Sequence, residues 1–552
     1  MVYGEIDWIN RFGKELSMNN VLEWLYESAK RLPDKVAFTS EDDTGKKTEV
    51  TFSDVLSKAE MIGSFIAGDS SDADVKTPIA VFSERAATTP ILFMSCVYNN
   101  RAYAPIDMAL PYSRIKKILD NLKPTVILTD KKSYEGFVKF IDKEYEGKAF
   151  KVIVVDFEDR TISKFEDGRY DTATVEKNLT DELVNEDLLG KIRADYKPSD
   201  ALYIIHTSGS SGRPKGVSTS QESLINYINA YSKVMKIEES DRFGNQSPLD
   251  YIAAIRDIYL PLKFGASSFI IPKKYFMDPN ELFTYLNDNG VTAIGWSVSA
   301  LTVPLSLGAF EEVKLNTLRK ICFSGSVMPC SALKVWQENL PDALFVNQYG
   351  PTEATASCTY YVVDHRVTDD EILPIGVPYE GYDVFLTDVD DDSKLIEGEN
   401  AKGQICVSGI SLAIEYINDE ERTNDSFVNR TLSDGTTKRI YKTGDIGSIK
   451  NGLFEFHGRL DRQIKHMGHR VELDEIEYAA NSLEDVSESC CIYKKEKESL
   501  ILYYSGEANK KDISIALREL IPGFMVPRKI KKLEELPKLP NGKIDVKGLE
   551  VM

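Results

Sequence analysis

Residues 201–216 read ALYIIHTSGSSGRPKG, an apolar run that passes directly into a loop of glycine, serine and threonine and then into a lysine. The run predicts a buried strand and the loop predicts a phosphate cradle. Gly209 and Gly212 lack a Cβ and let backbone amides approach an anion, while Thr207, Ser208, Ser210 and Ser211 add hydroxyl donors and Lys215 a positive charge. A Walker loop would need glycine where this chain has Pro214, so the cradle is of another type. A bare Gly-Ser stretch also reads as a linker. The strand before it and PKG after it favour the anion site.

Similar apolar runs lie on both sides: PIAVFSE, RAYAPID, TVILTD and KVIVVDF before the loop, then SSFIIP, VTAIGW, RKICFSG and ALFVNQYG after it, with helical-looking segments around residues 87–98 and at SRIKKILDNL. This alternation predicts βαβ units, hence a large N-terminal region of parallel α/β subdomains. From about residue 373 the rhythm shortens, and DVDDD, SDGTT and KNG separate strand-like VFLTD, GQICVSG and LFEFHG, so a small β-rich unit is expected over 373–460. Beyond it, VELDEIEYAANSLE and KKDISIALRELI read as helices around a hairpin in CCIYKKEKESLILYYSG. That predicts a compact α+β domain over 461–552 behind a core spanning 1–460.

Composition narrows the function. The 552 residues are 42% hydrophobic and 28% charged, as in a water-soluble protein of more than one domain, and a formal charge of −20 argues against general nucleic-acid binding. The seven cysteines lack metal-type spacing and read as free, mostly buried thiols; the five histidines form no HExxH. The start has no signal-peptide core and no stretch is long enough to span a bilayer, so a cytoplasmic protein without a membrane span is expected.

The loop at 206–216 is one of seven motifs in order. The others are RAYAPIDMALPYSRIKKIL (101–119), NQYGPTEAT (347–355), YKTGDIG (441–447), GRLDRQIKHMGHRVELDEIE (458–477), LIPGFMVPRKI (520–530) and LPNGKID (539–545). Together they resemble the core motifs of the adenylate-forming superfamily, and within it the stand-alone adenylation domains of nonribosomal peptide synthesis and the D-alanine:carrier-protein ligases. The resemblance implies an ATP- and Mg²⁺-dependent ligase that activates a carboxylic acid as an acyl-adenylate and passes the acyl group to a thiol. It assigns Lys543 to bridging carboxylate and phosphate, Glu353 to the magnesium ion and Thr352 to the α-phosphate. It gives Asn347 and Tyr349 to the adenine, Asp445 and Arg459 to the ribose, and Asp461 to a hinge that withdraws Lys543 and brings Lys465 and Gly468 toward the thiol. Taken alone, each of these residues has an ordinary structural reading: a turn lysine, a capping carboxylate, a turn aspartate, an amphipathic helix with a charged lead-in at IKHMGHRVELDEIE.

In amino-acid-activating relatives an aspartate pairs with the substrate's α-ammonium. Aligned on RDIY, the stretch SPLDYIAAIRDIY (247–259) puts Ile252 at that position. A buried ammonium without a partner is costly, so an aryl, hydroxy or keto acid is expected, or a small amino acid if a bulge brings Asp250 into the pocket. The same mapping adds Ala253, Arg256, Gly295, Cys322, Ser324, Gln348, Ala356 and Ser357, a small polar set. Arg256 suits a distal acidic or phenolic oxygen, or pairs with Asp250 or Asp257. His206 stands where relatives more often have Tyr, and Gln404 and Glu415 where they often have Glu and Gly. With nine residues after Lys543 no carrier domain is expected on this chain. The acceptor is then a separate acyl or peptidyl carrier protein or, alternatively, coenzyme A; a non-catalytic nucleotide-binding relative is the third reading.

Overall fold

The computed structural model describes residues 20–552 apart from 70–75, 146–148, 167, 169, 210–211 and 540–543. Ser210, Ser211 and Lys543 therefore lie outside the described residues. Two nine-stranded sheets form the large N-terminal part. In one, the strands Ala201–Thr207, Tyr103–Ile106, Ile79–Phe82, Val126–Asp130 and Lys151–Asp156 run parallel, with antiparallel strands at both edges. In the other, the parallel set is Leu344–Tyr349, Lys320–Ser324, Ala293–Ser297, Arg242–Asn245, Ser267–Ile270 and Val36–Glu41.

The period of a strand explains the layering. Ile79 and Val81 enter the largest core, shared by both sheets and by the helices Phe52–Gly68, Thr89–Tyr98, Gln221–Met235 and Ile255–Phe264; Ala80 and Phe82 point the other way, into a core with Tyr112–Leu122 and Lys131–Glu144. Helices between two sheets are apolar all round, as Thr89–Tyr98 is, with every residue buried. A bond between the Tyr103 and Tyr259 hydroxyls, 2.9 Å apart, joins the first sheet to a helix of this middle layer.

The β-rich unit is a sheet of Tyr382–Thr387, Gly403–Gly409, Thr437–Lys450 and Phe427–Thr431, with Leu453–Arg459 paired to the long strand. Residues 463–472 form a two-stranded hairpin, Gln463–His466 with His469–Glu472. The helix reading of this segment holds only from Leu473, where Leu473–Asn481 begins. The turn is the pair Met467 (φ 52°) and Gly468 (φ 81°); positive φ at both positions matches the twist of a tight hairpin and halts helical winding. A three-stranded sheet with Leu473–Asn481 and Lys510–Leu520 completes the C-terminal domain. All seven cysteines are free and buried, and among the described residues no helix is long and apolar enough to cross a membrane.

Candidate active site

The carboxyl ends of the parallel strands of both sheets converge, where ligands bind in open α/β sheets. There the loop after Ala201–Thr207 returns as the antiparallel strand Lys215–Ser220, so it is a hairpin connection and opens no helix. A phosphate cradle here would then rest on amides, hydroxyls and the lysine rather than on a helix N-terminus. The loop is tight: a Cβ on Gly209 would sit 2.3 Å from the Arg213 carbonyl, and Gly212 has φ 69°. Thr207 lies opposite Lys215 in the ladder, and its buried hydroxyl has no partner among the described residues. Ser208 is committed, donating 2.7 Å to the Arg470 carbonyl.

Lys215 is buried and meets Glu353, the centre of a charge cluster. Glu353 is fully buried; Lys215 Nζ lies 3.0 Å from Oε1, Arg470 Nη1 donates to both oxygens at 3.0 and 2.9 Å, and the Tyr416 hydroxyl donates at 2.7 Å. Burial alone would raise the Glu353 pKa, but the Arg470 and Lys215 charges reverse this and hold the carboxyl well below the usual range. Lys215 is pulled down to about 8 by burial and by Arg470, against the opposing pull of Glu353. A single carboxylate beside a phosphate loop suits Mg²⁺ sharing phosphate oxygens, though in this arrangement the Arg470 guanidinium covers both oxygens. Arg470 and Tyr416 were absent from the residues expected from sequence. Lys465 and Arg470 are direct cross-strand partners in the hairpin and so share one face, a signal available in KHMGHR once it is read as a two-residue turn.

The residues that the resemblance assigns to the nucleotide make contacts of their own. Tyr349 donates its hydroxyl to Asp445, and Asp445 and Arg459, paired in register, form an ion pair. Arg459 also reaches Asp461 through Nε and Nη2, at 2.6 and 2.8 Å. Asn347 donates to the Pro374 carbonyl at 2.8 Å. Thr352 is buried at the start of a short helical turn, which ends in left-handed Thr355 (φ 50°) and Ala356 (φ 72°). Non-glycine residues held in that region cost energy and are over-represented at functional sites.

The cavity at this point is small, about 70 Å³. Ile252, Ala253, Arg256, Ser324, Ala356 and Ser357 line it together with Thr352, Lys465, Gly468 and Arg470. The hairpin turn seals it: Tyr251 donates 2.9 Å to the Gly468 carbonyl, and a Cβ on Gly468 would collide with Ser297 at 2.7 Å. Gly295, Cys322 and Gln348 stand behind this wall and hold Arg256. Asp250 does not line the cavity. It faces a second one of about 360 Å³, bounded by Asp107, Arg114, Ser208, Lys273 and Phe524 and sharing Tyr251, His469 and Arg470 with the first. Burial and nearby Asp107 push Asp250 up to about 7. The pairing of Arg256 with Asp250 or Asp257 is not found: Asp257 accepts from Asn245 at 2.8 Å, and no carboxylate among the described residues forms an ion pair with Arg256.

The C-terminal domain is docked on this face. Arg114 pairs with Glu475, Ser113 donates 2.6 Å to the Glu519 carbonyl, and Tyr478 lies so close to Gly212 that a Cβ there would be 2.6 Å from its ring. His469 stacks on Phe524 at 3.9 Å and is pulled down to about 4 by burial, which keeps it neutral.

Among solved structures, the chain resembles an adenylation domain, AlmE of Vibrio cholerae in complex with glycyl-adenosine-5′-phosphate, with TM-score 0.80 at 19% identity over 98% of both chains. It also resembles IdnL1, with TM-score 0.75 at 21% identity over 95% of this chain and all of the other. These likenesses show the fold. In sequence it is 29% identical over 544 residues to a D-alanine–D-alanyl carrier protein ligase of Bacillus cytotoxicus, covering 96% of this chain and 98% of that protein. The same identity holds over 541 residues with a ligase of the same name from Bacillus cereus. The sequence model of the AMP-binding enzymes matches residues 25–417, and the chain therefore belongs to that family as an ATP-dependent, AMP-forming ligase.

Proposed function

We propose that the chain adenylates a small carboxylic acid lacking a charged α-amino group and transfers the acyl group to the phosphopantetheine thiol of a separate carrier protein. The observation that carries this reading is the hairpin Gln463–Glu472 seated against the acid cavity, with Lys465 and Gly468 in its wall and a second cavity on the other side of the shared residues Tyr251, His469 and Arg470.

In the first half-reaction a carboxylate oxygen attacks the α-phosphorus of ATP, the bond to the bridging oxygen breaks, and pyrophosphate leaves. Two anions must approach, so the site has to neutralise charge beforehand. Lys215 and the Thr207 hydroxyl are assigned to the phosphates, Tyr349 and Asn347 to the base, Asp445 and Arg459 to the ribose, and Thr352 and Lys543 to the α-phosphate. Magnesium held at Glu353 would supply further positive charge to the phosphates. Arg470 would have to leave Glu353 for that, which ties the first step to a different position of the C-terminal domain, reached by turning at Asp461. In the second half-reaction the thiol sulfur attacks the acyl carbon, the carbon–oxygen bond to AMP breaks and the thiol proton is lost to solvent. Lys465, on the hairpin, then lies beside the acyl-adenylate.

The second cavity favours a carrier arm over coenzyme A. Its buried cations are already committed, Arg114 to Glu475 and Arg470 to Glu353, which leaves only the exposed Lys273, whereas coenzyme A phosphates need several uncommitted ones. ATP–pyrophosphate exchange over a panel of amino, hydroxy, keto, aryl and simple acids, with Lys543→Ala as control, tests the first step. Exchange only with α-amino acids would sink the substrate assignment; faster acyl transfer to coenzyme A than to holo-carrier protein would sink the acceptor.

A further inference from the structure

The acid cavity holds three cations in its wall, Arg256, Lys465 and Arg470, and no carboxylate. Lys465 and Arg470 arrive with the lid hairpin. Arg256 belongs to the core, in the first turn of Ile255–Phe264, and is 2% exposed. Its guanidinium lies over Gly295, where a Cβ would come within 3.1 Å of Cζ, so a residue with no side chain makes its room. Its hydrogen bonds all go to neutral acceptors: Gln348 Oε1 at 3.0 Å, the Gly295 carbonyl at 3.1 Å, the Ala253 carbonyl at 3.3 Å and Cys322 Sγ at 3.6 Å. A guanidinium has more N–H donors than these acceptors use, and Nη2 has only one partner. Buried charges are normally paired; the adjacent Asp257 lies within the field of Arg256, but its carboxyl accepts from Asn245, and no carboxylate among the described residues bonds the guanidinium. The position that would hold an ammonium carries Ile252 instead. The pocket therefore has the polarity opposite to one built for an amino acid.

We propose that Arg256 receives a second carboxylate, at the end of the substrate remote from the activated one, so that the acid is a short dicarboxylic acid. This assignment rests on the adenylation reading and refines it. The unpaired guanidinium gains a charge-assisted partner when the acid binds, and an acid with a neutral far end leaves it unpaired.

The test is ATP–pyrophosphate exchange by the full-length protein with length-matched acids: succinate against butyrate, malonate against propionate and isophthalate against benzoate, with lactate, pyruvate and alanine alongside. The dicarboxylate of at least one pair should lead in kcat/KM by roughly 100-fold or more. Arg256→Met should erase that lead, and Arg256→Lys should keep part of it. Should Arg256→Met fail to fold, as monitored by its melting temperature, the wild-type preference within each pair and the Arg256→Lys values still decide. Preference for a monocarboxylate, hydroxy, keto or amino acid, or an equal loss on all acids in the variants, overturns the assignment and leaves the ligase reading standing. No exchange with any acid overturns both.

Discussion

Two arginines line the same cavity, and their surroundings are opposite. Arg470 reaches it from the hairpin Gln463–Glu472 and spends its guanidinium on both oxygens of a fully buried glutamate. Arg256 comes from the core and spends its own on two carbonyls, an amide oxygen and a sulfur. A buried charge with an ionic partner fixes an arrangement of the protein, because separating the pair strands both groups. A buried charge held only by neutral acceptors fixes nothing and is complementary to something that comes from outside. On this view Arg470 is part of the machinery that sets the lid, and Arg256 is part of the machinery that selects the acid.

The most severe way to break the contrast is to remove the partner that Arg470 has. Glu353→Ala leaves Lys215 and Arg470 buried without a counter-charge, and losing one side of such a cluster typically costs about 3–5 kcal/mol. The expected result is a clear drop in melting temperature together with loss of ATP–pyrophosphate exchange by about a thousandfold; unchanged exchange would remove Glu353 from the nucleotide site. A smaller effect is expected from Arg470→Met, which frees the carboxylate while Lys215 and Tyr416 still hold it. Exchange should survive within about threefold, while acyl transfer to the thiol falls about 10- to 100-fold, because only the second arrangement loses its anchor. A parallel fall in both half-reactions would show that Arg470 serves the site generally.

The mildest test uses pH. The folded-state pKa of Lys215 is depressed, to about 8 from 10.5, so its charge costs stability below pH 8 and that cost is relieved as pH rises toward 10.5. Function runs the other way, since phosphate binding needs the charged form. The KM for ATP should rise severalfold between pH 8 and 9.5 and should stay flatter in Lys215→Arg, which cannot lose its proton in that range. An identical pH profile in both proteins would refute the role.

Much of this was legible in the chain. The apolar runs marked the parallel strands because such strands are buried on both faces, and the stretch at 201–216 showed a strand entering a glycine-serine loop. The resemblance of the motifs singled out Glu353, Asp445 and Arg459, and the composition of the loop singled out Lys215; the structure pairs Lys215 with Glu353 and Arg459 with Asp445. What sequence could not supply was the partner of each charge. Arg470 lies 117 residues from Glu353, on the hairpin of the C-terminal part, and Tyr416 lies 63 away, on the short edge strand paired with Lys215–Ser220. The same limit explains Asp250 and Arg256. Both sit in one short stretch, and whether they face the same cavity depends on the short helical turn Ile252–Ala254 between them, which sends them into different ones. The hairpin at 463–472 was hidden by a helix-like pattern, although His-Met-Gly-His held the two-residue turn.

One guanidinium joins two carboxylates: Arg459 holds the side chain of Asp445 on one side and that of Asp461 on the other. If Asp445 and Arg459 bind the ribose and the chain turns at Asp461, nucleotide affinity and domain angle share a single guanidinium and are thermodynamically linked. Whatever free energy the nucleotide gains from one angle, it must return as a bias toward that angle, by reciprocity. Titrating nucleotide against a probe of the domain angle would read that coupling from either side with the same value.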